Sequence, residues 1–213
     1  MNTNNAFLFP GQGSQFVGMG QEISKQFHIA RDVFLEVDDA LGEKLSLLMF
    51  EGNIDELTLT KNAQPAIMAV SIAIFRVLLA RGLSLDAVKL FAGHSLGEYS
   101  ALCASGVISL RDTALVLRKR GEAMQKAVPE GNGLMVAVLG MACERVKELL
   151  IEVGCDSNLI QVANDNDPSQ VVIAGEAKTV KEFAEVIKQK GAQKIVYLSV
   201  SAPFHSPLMT PAA

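Results

Sequence analysis

The chain has 213 residues, 49% of them hydrophobic and 20% charged, with a formal net charge of −4, enough apolar mass for one large domain or two unequal ones. The slight acidity and the lack of a long basic run exclude the clustered basic surface that nucleic-acid binding needs. Three cysteines, Cys103, Cys143 and Cys155, form no Cys-x-x-Cys pair, which argues against a disulfide framework and a zinc site and suits reduced, packed thiols.

In chain order, Met1 to Phe9 has no basic flank and few apolar residues before Pro10-Gly11, unlike a secretory signal, so a cytoplasmic protein is expected. Ala6 to Phe9 reads as a first strand and Val17 to Phe27 as a helix. Gln64 to Ala80 reads as a long apolar helix ended by Arg81-Gly82. Its most membrane-like part, Ala66 to Ala80, is interrupted by Arg76 and is too short to span a bilayer, which favours a buried core helix. Val88 to Ala92 reads as a buried central strand running into Gly93-His94-Ser95-Leu96-Gly97, and Leu96 to Ala104 resumes as helix until Gly106. From Ser109, a helix N-cap with Asp112 three residues on, helix continues to Ala127. The pattern then changes. Strands at Leu134 to Leu139, Leu159 to Val162, Val171 to Ala174 and Lys194 to Ser199 alternate with helices at Ala142 to Val153 and Ala177 to Lys190. That βαββαβ order is the ferredoxin-like unit. The expected fold is α/β: a large domain with a parallel sheet over residues 1–128 and 200–213, and a small ferredoxin-like domain over 129–199 inserted into it.

The chemistry centres on Ser95. A Gly-x-Ser-x-Gly turn between strand and helix pushes the hydroxyl into the open, and the amide of Leu96, at the helix start, can face a developing oxyanion. A merely structural tight turn is the competing reading. A serine hydroxyl needs a base, and the chain has three histidines. His28 follows a helix as a surface residue and His94 is constrained by the turn, whereas His205, on the proline-bracketed loop Ala202-Pro203-Phe204-His205-Ser206-Pro207, is the choice for general base and acid. A solvent-facing loop histidine is the alternative.

Two further features stand beside it. Phe9-Pro10-Gly11-Gln12-Gly13-Ser14-Gln15 follows the first strand but has Phe16 where a dinucleotide fingerprint needs its third glycine. What remains is a backbone able to present the Gln12 amide as a second oxyanion donor, or a structural turn. On the helix from Ser109, advancing 100° per residue, Leu110, Ala114, Val116, Leu117, Gly121, Met124 and Ala127 share an apolar arc with Arg120 in its middle, while Arg118 and Lys119 point away. A guanidinium there requires an anion, either an internal carboxylate or one brought by a ligand.

The motifs FPGQGSQ at 9–15, QPA at 64–66, GHSLGEYSA at 93–101, RG at 120–121 and Phe204-His205 together resemble the malonyl-CoA:acyl carrier protein transacylases of fatty-acid synthesis, relatives of polyketide synthase acyltransferase domains. The resemblance implies an α/β-hydrolase-like large domain, Ser95 as nucleophile, His205 as base, and the amides of Gln12 and Leu96 as the oxyanion hole. It places Arg120 on the free malonyl carboxylate, Gln64 among the active-site residues and Asn164 near the pantetheine arm, with Phe204 favouring malonyl over methylmalonyl units. It implies malonyl-CoA and an acyl carrier protein as partners, no permanently bound cofactor, no metal, no nucleic acid or membrane, and a monomer. Family members usually continue well past this point, with a glutamine that orients the histidine, so a C-terminally truncated chain is expected. Two rival readings stay open. One is a serine hydrolase or thioesterase, with Asp165 or Asp167 as the acid between Ser95 and His205 in chain order. The other is a non-catalytic carrier-binding fragment, with Lys178, Lys181, Lys188 and Lys190 meeting an acidic carrier or simply facing water.

Overall fold

In a computed structural model, residues 5–129, 131–198, 200 and 202–213 are described. Met1 to Asn4 of the supposed non-signal segment, Ser199 at the end of the last expected strand and Ser201 lie outside them. The chain divides into two compact units, one through Glu122 and one from Ala123 to Ala213.

The first unit contains strand β1 (Asn5–Phe9), helices α1 (Gln21–Gln26), α2 (His28–Leu41), α3 (Leu45–Glu51), α4 (Ile54–Thr58) and α5 (Thr60–Ala80), strand β2 (Val88–Gly93), helix α6 (Leu96–Ala104) and most of α7 (Leu110–Ala127). β1 and β2 pair in parallel, Phe9 opposite Gly93, so the segments leaving their carboxyl ends are neighbours. The helix expected from Val17 starts only at Gln21, because Gly18 and Gly20 take φ values of 96° and 81° that end any helical run. His28 is the exposed first residue of α2.

α5 begins four residues earlier than expected and accommodates Pro65 inside it. At 21 residues it has the length and apolarity to cross a membrane, contrary to the shorter reading. Its Ala66, Ile67, Met68, Ala69, Ile72 and Ala73 are nonetheless buried in the core with Val33, Phe34 and Val37 of α2 and Leu117 of α7. β2 was expected to be a buried central strand, yet Leu90 is 53% exposed, as is Leu8 of β1 at 77%. Among the described residues the parallel sheet has two strands, so part of each strand faces solvent. Phe7, Phe9, Phe75 and Phe91 fill the side toward α5 with edge and stacked ring contacts.

The second unit contains β3 (Gly133–Leu139), α8 (Cys143–Glu152), β4 (Ile160–Asp167), β5 (Gln170–Glu176), α9 (Ala177–Gln189) and β6 (Lys194–Tyr197). Its antiparallel sheet has the order β4-β5-β3-β6. β4 runs five residues beyond the expected Val162 because two register shifts let the polar stretch Asn164 to Asp167 stay paired with β5. Alternation along β3 splits the core. Val136 and Val138 pack with Val146, Leu149 and Phe183 of the helices, while Met135 and Ala137 pack with Ala202, Phe204 and Met209. The described part of the 200–213 segment therefore covers one face of this sheet. Cys143 is buried, and Cys103 and Cys155 are half-buried, all as free thiols.

Candidate active site

The corner at Ser95 follows from two close approaches. A Cβ on Gly93 would lie 1.9 Å from the Gly97 carbonyl carbon, and one on Gly97 would lie 2.3 Å from the Phe9 carbonyl oxygen. Only glycines let the helix start fold back over the strand ends. The His94 amide donates to the Phe9 carbonyl at 3.0 Å, tying the corner to β1. Ser95 is left with φ 54° and ψ −108°, a backbone state that L side chains rarely adopt and that costs about 1–3 kcal/mol. Leu96 is the first residue of α6, so its N–H has no intrahelical acceptor and is available to an anion.

The loop after β1 lies alongside. Gly11 sits so close to His94 that a Cβ would meet its Nδ1 at 2.6 Å. The Gln12 side chain donates to the buried Thr60 hydroxyl at 3.4 Å, and Gln15 to Thr58 at 3.4 Å, which anchors the loop to the end of α4 and the start of α5. Gln12 and Leu96 thus belong to neighbouring segments at the carboxyl ends of paired strands.

Arg120 completes the cluster. Its guanidinium donates to Ser95 Oγ at 3.1 Å and to Gln64 Oε1 at 2.8 Å, and its carbon lies 5.7 Å from the centre of the Tyr99 ring. Gln64 is buried. Among the described residues no carboxylate forms a salt bridge with Arg120, so the internal ion pair that was one expectation is not what holds it. Burial pulls the guanidinium below the ordinary arginine range, with Tyr99 and Glu98 opposing the shift. The Ser109 N-cap forms as expected, its Oγ accepting from the Asp112 amide at 3.0 Å. The apolar arc is rotated from the expected one. Thr113, Ala114, Leu117, Gly121 and Met124 are buried, but Val116 is exposed. By helical geometry Arg120 stands about 70° to one side of that face and Arg118 about 90° to the other. Arg118 does not point away: it donates to Asn62 Oδ1 at 2.6 Å and pairs with Glu43.

The second unit carries the other expected residues. His205 is exposed, at φ 56°, and its carbonyl accepts from Gln161 of β4 at 2.7 Å. Phe204 is buried against Met135 and Ala174, which fixes the loop on the sheet. Asn164 is half-buried on β4, opposite Val172. Asp167 accepts from the Ser169 amide and hydroxyl at 2.9 and 2.7 Å, which shapes the β4–β5 turn and lowers its carboxyl pKa. Lys178, Lys181, Lys188 and Lys190 are all exposed along or just after α9. Concavities of about 840 and 600 Å³ are lined by none of the residues expected around Ser95, although Lys178 borders the larger of the two. Tyr99, Thr60 and Gln161 were not anticipated. Tyr99, four residues after Ser95 on one helix, could have been found from that spacing.

The Ser95 hydroxyl, on a strand-to-helix corner at the carboxyl end of a parallel strand and beside a partly buried guanidinium, belongs to a chain of the mixed α/β class. Within it, the chain belongs to the acyl transferase domain family, whose model matches residues 6–213. It is 51% identical over 208 residues to a malonyl CoA-acyl carrier protein transacylase of Bacillus subtilis, covering 98% of this chain and 65% of that one. It resembles the crystal structure of an acyl-carrier-protein S-malonyltransferase from Bartonella henselae at a TM-score of 0.93 and 57% identity, covering 99% of this chain and 67% of the other. A type II PKS acyl-carrier protein in complex with its malonyl-transacylase is similar at a TM-score of 0.93 and 40% identity, with 99% and 67% covered. The chain therefore spans about two thirds of the length of these relatives.

Proposed function

We propose that the chain carries the catalytic serine of a malonyltransferase that moves a malonyl group from malonyl-CoA to the phosphopantetheine thiol of an acyl carrier protein. The observation that carries the reading is the 3.1 Å contact between Arg120 and Ser95 Oγ, a cation within one hydrogen bond of the hydroxyl. Ser95 Oγ attacks the thioester carbonyl carbon while the His205 imidazole takes its proton. The carbonyl oxygen becomes an oxyanion received by the Gln12 and Leu96 amides, each worth roughly 10² to 10³ in rate. Collapse breaks the carbon–sulfur bond, and His205 returns the proton to the departing CoA thiolate. The carrier thiol then attacks the seryl ester by the same steps in reverse. Arg120, held by Gln64, receives the free carboxylate. Asn164 meets the pantetheine arm, and Phe204 sets the wall that favours malonyl over branched units.

The same reading takes the first unit as part of an α/β-hydrolase-like domain, residues 1–128 with 200–213. Residues 129–199 form a ferredoxin-like domain, supported by the βαββαβ order and the β4-β5-β3-β6 sheet. It takes the protein as a cytoplasmic monomer that needs no resident cofactor. Incubation with malonyl-CoA followed by intact mass should give one malonyl adduct, located at Ser95 and absent from Ser95→Ala. Rapid release of malonate with no adduct would favour a hydrolase instead.

A further inference from the structure

α5 and α7 meet backbone to backbone. A Cβ on Gly121 would lie 2.6 Å from Lys61 Cα and 2.7 Å from the Thr60 carbonyl oxygen, so neither helix can approach further. Two arginine–amide pairs straddle this contact. On one side Arg120 donates to Gln64, and on the other Arg118 donates to Asn62 at 2.6 Å. The pairs are two residues apart on each helix, which by helical geometry sends them to opposite flanks of the Gly121–Lys61 crossing.

The second pair is anchored at both ends. Asn62 is 4% exposed, and its Nδ2 donates to the Glu56 carbonyl at 2.9 Å, which leaves Oδ1 as the only amide atom able to accept from Arg118. Arg118 itself is pinned from its far side by Glu43, beyond α2. This chain of three side chains runs along the flank of the crossing opposite the Arg120–Gln64 pair.

We propose that Arg118, Asn62 and Glu43 act as a clamp that fixes the rotation of α7 about the Gly121–Lys61 contact and so sets where the Arg120 guanidinium sits. Arg118 and Asn62 are positioning residues, acting through Arg120. With the clamp released, α7 can turn on its glycine pivot and Arg120 loses its register with Gln64 and Ser95. A displacement of about 1 Å in such a group can cost about a hundredfold in rate. The proposal deepens the malonyltransferase reading, and its consequence for substrate choice rests on that reading.

The first test does not depend on the substrate. Phenylglyoxal modification of Arg120, located by peptide mass, should be at least fivefold faster in Arg118→Met than in the unaltered chain. Asn62→Ser should behave likewise, serving as a second variant if Arg118→Met does not fold. Glu43→Gln, which keeps an acceptor for Arg118, should stay near the original rate. An unchanged rate at Arg120 in a variant with an unchanged melting temperature would overturn the clamp. So would equal acceleration at every arginine, which reports general loosening. The second readout compares Ser95 labelling by malonyl-CoA with labelling by a neutral fluorophosphonate. The clamp variants should slow the former about tenfold relative to the latter. Faster Arg120 modification with an unchanged labelling ratio would uphold the clamp and overturn the role of Arg120 in carboxylate binding.

Discussion

Replacing Arg120 with methionine keeps most of the apolar stem on Tyr99 while removing the guanidinium. In the resting state that group makes two hydrogen bonds, to Gln64 at 2.8 Å and Ser95 at 3.1 Å. A malonyl carboxylate taking the guanidinium fork gains charge-assisted bonds of about 1.5–3 kcal/mol each, against about 1 kcal/mol for the bond to the serine hydroxyl that it displaces. The net difference of about 2–5 kcal/mol converts to a factor of roughly 30 to 5,000 in kcat/KM at 1.36 kcal/mol per decade. A neutral acetyl thioester makes no such pair and should change less than tenfold. The assay is time-resolved intact mass of the seryl adduct with malonyl-CoA and acetyl-CoA supplied separately. Equal losses for both donors would mean that Arg120 supports the corner without selecting a carboxylate. Unchanged malonyl labelling would refute its role altogether.

Other outcomes follow from the same geometry. Gly97→Ala puts a methyl group 2.3 Å from the Phe9 carbonyl oxygen, so the start of α6 must shift. Overpacking of about 1–3 kcal/mol should appear as a lower denaturation midpoint, and Ser95 labelling by the fluorophosphonate should fall about a hundredfold. Phe204→Ala empties a buried site beside Met135 and Ala174 and should cost about 3–5 kcal/mol in chemical denaturation of the full chain. Burial raises the Cys103 thiol pKa, only partly offset by a hydrogen bond with Thr113. A raised pKa leaves less thiolate at any given pH. Cys103 should therefore react with iodoacetamide more slowly than free cysteine near pH 8 and recover that reactivity at higher pH, as followed by peptide mass.

Much of this arrangement was legible because it depends on local rules. The corner at Ser95 could be read from two glycines and the switch from apolar run to helix, and the βαββαβ order from alternating periodicities. No motif marks the residues from His28 to Thr58, yet Ala30, Val33, Phe34 and Val37 form one buried face of α2. Arg118 was misread for a different reason. Including Val116 in the apolar arc moved its centre toward Arg120, and nothing local reveals that Asn62, 56 residues earlier, supplies an acceptor. The long-range partners Thr60 and Gln161 were hidden in the same way, since their contacts arise only when separate elements pack.

The backbone at Ser95 has one more consequence. Among the described residues, Ser95 and His205 are the two non-glycine positions with positive φ. Ser95→Gly would relax the first of these conformations, so a chain with glycine there should melt at a higher temperature while losing its hydroxyl. The hydroxyl at this corner is thus kept at the cost of local backbone strain, and the corner could be made more stable only by giving it up.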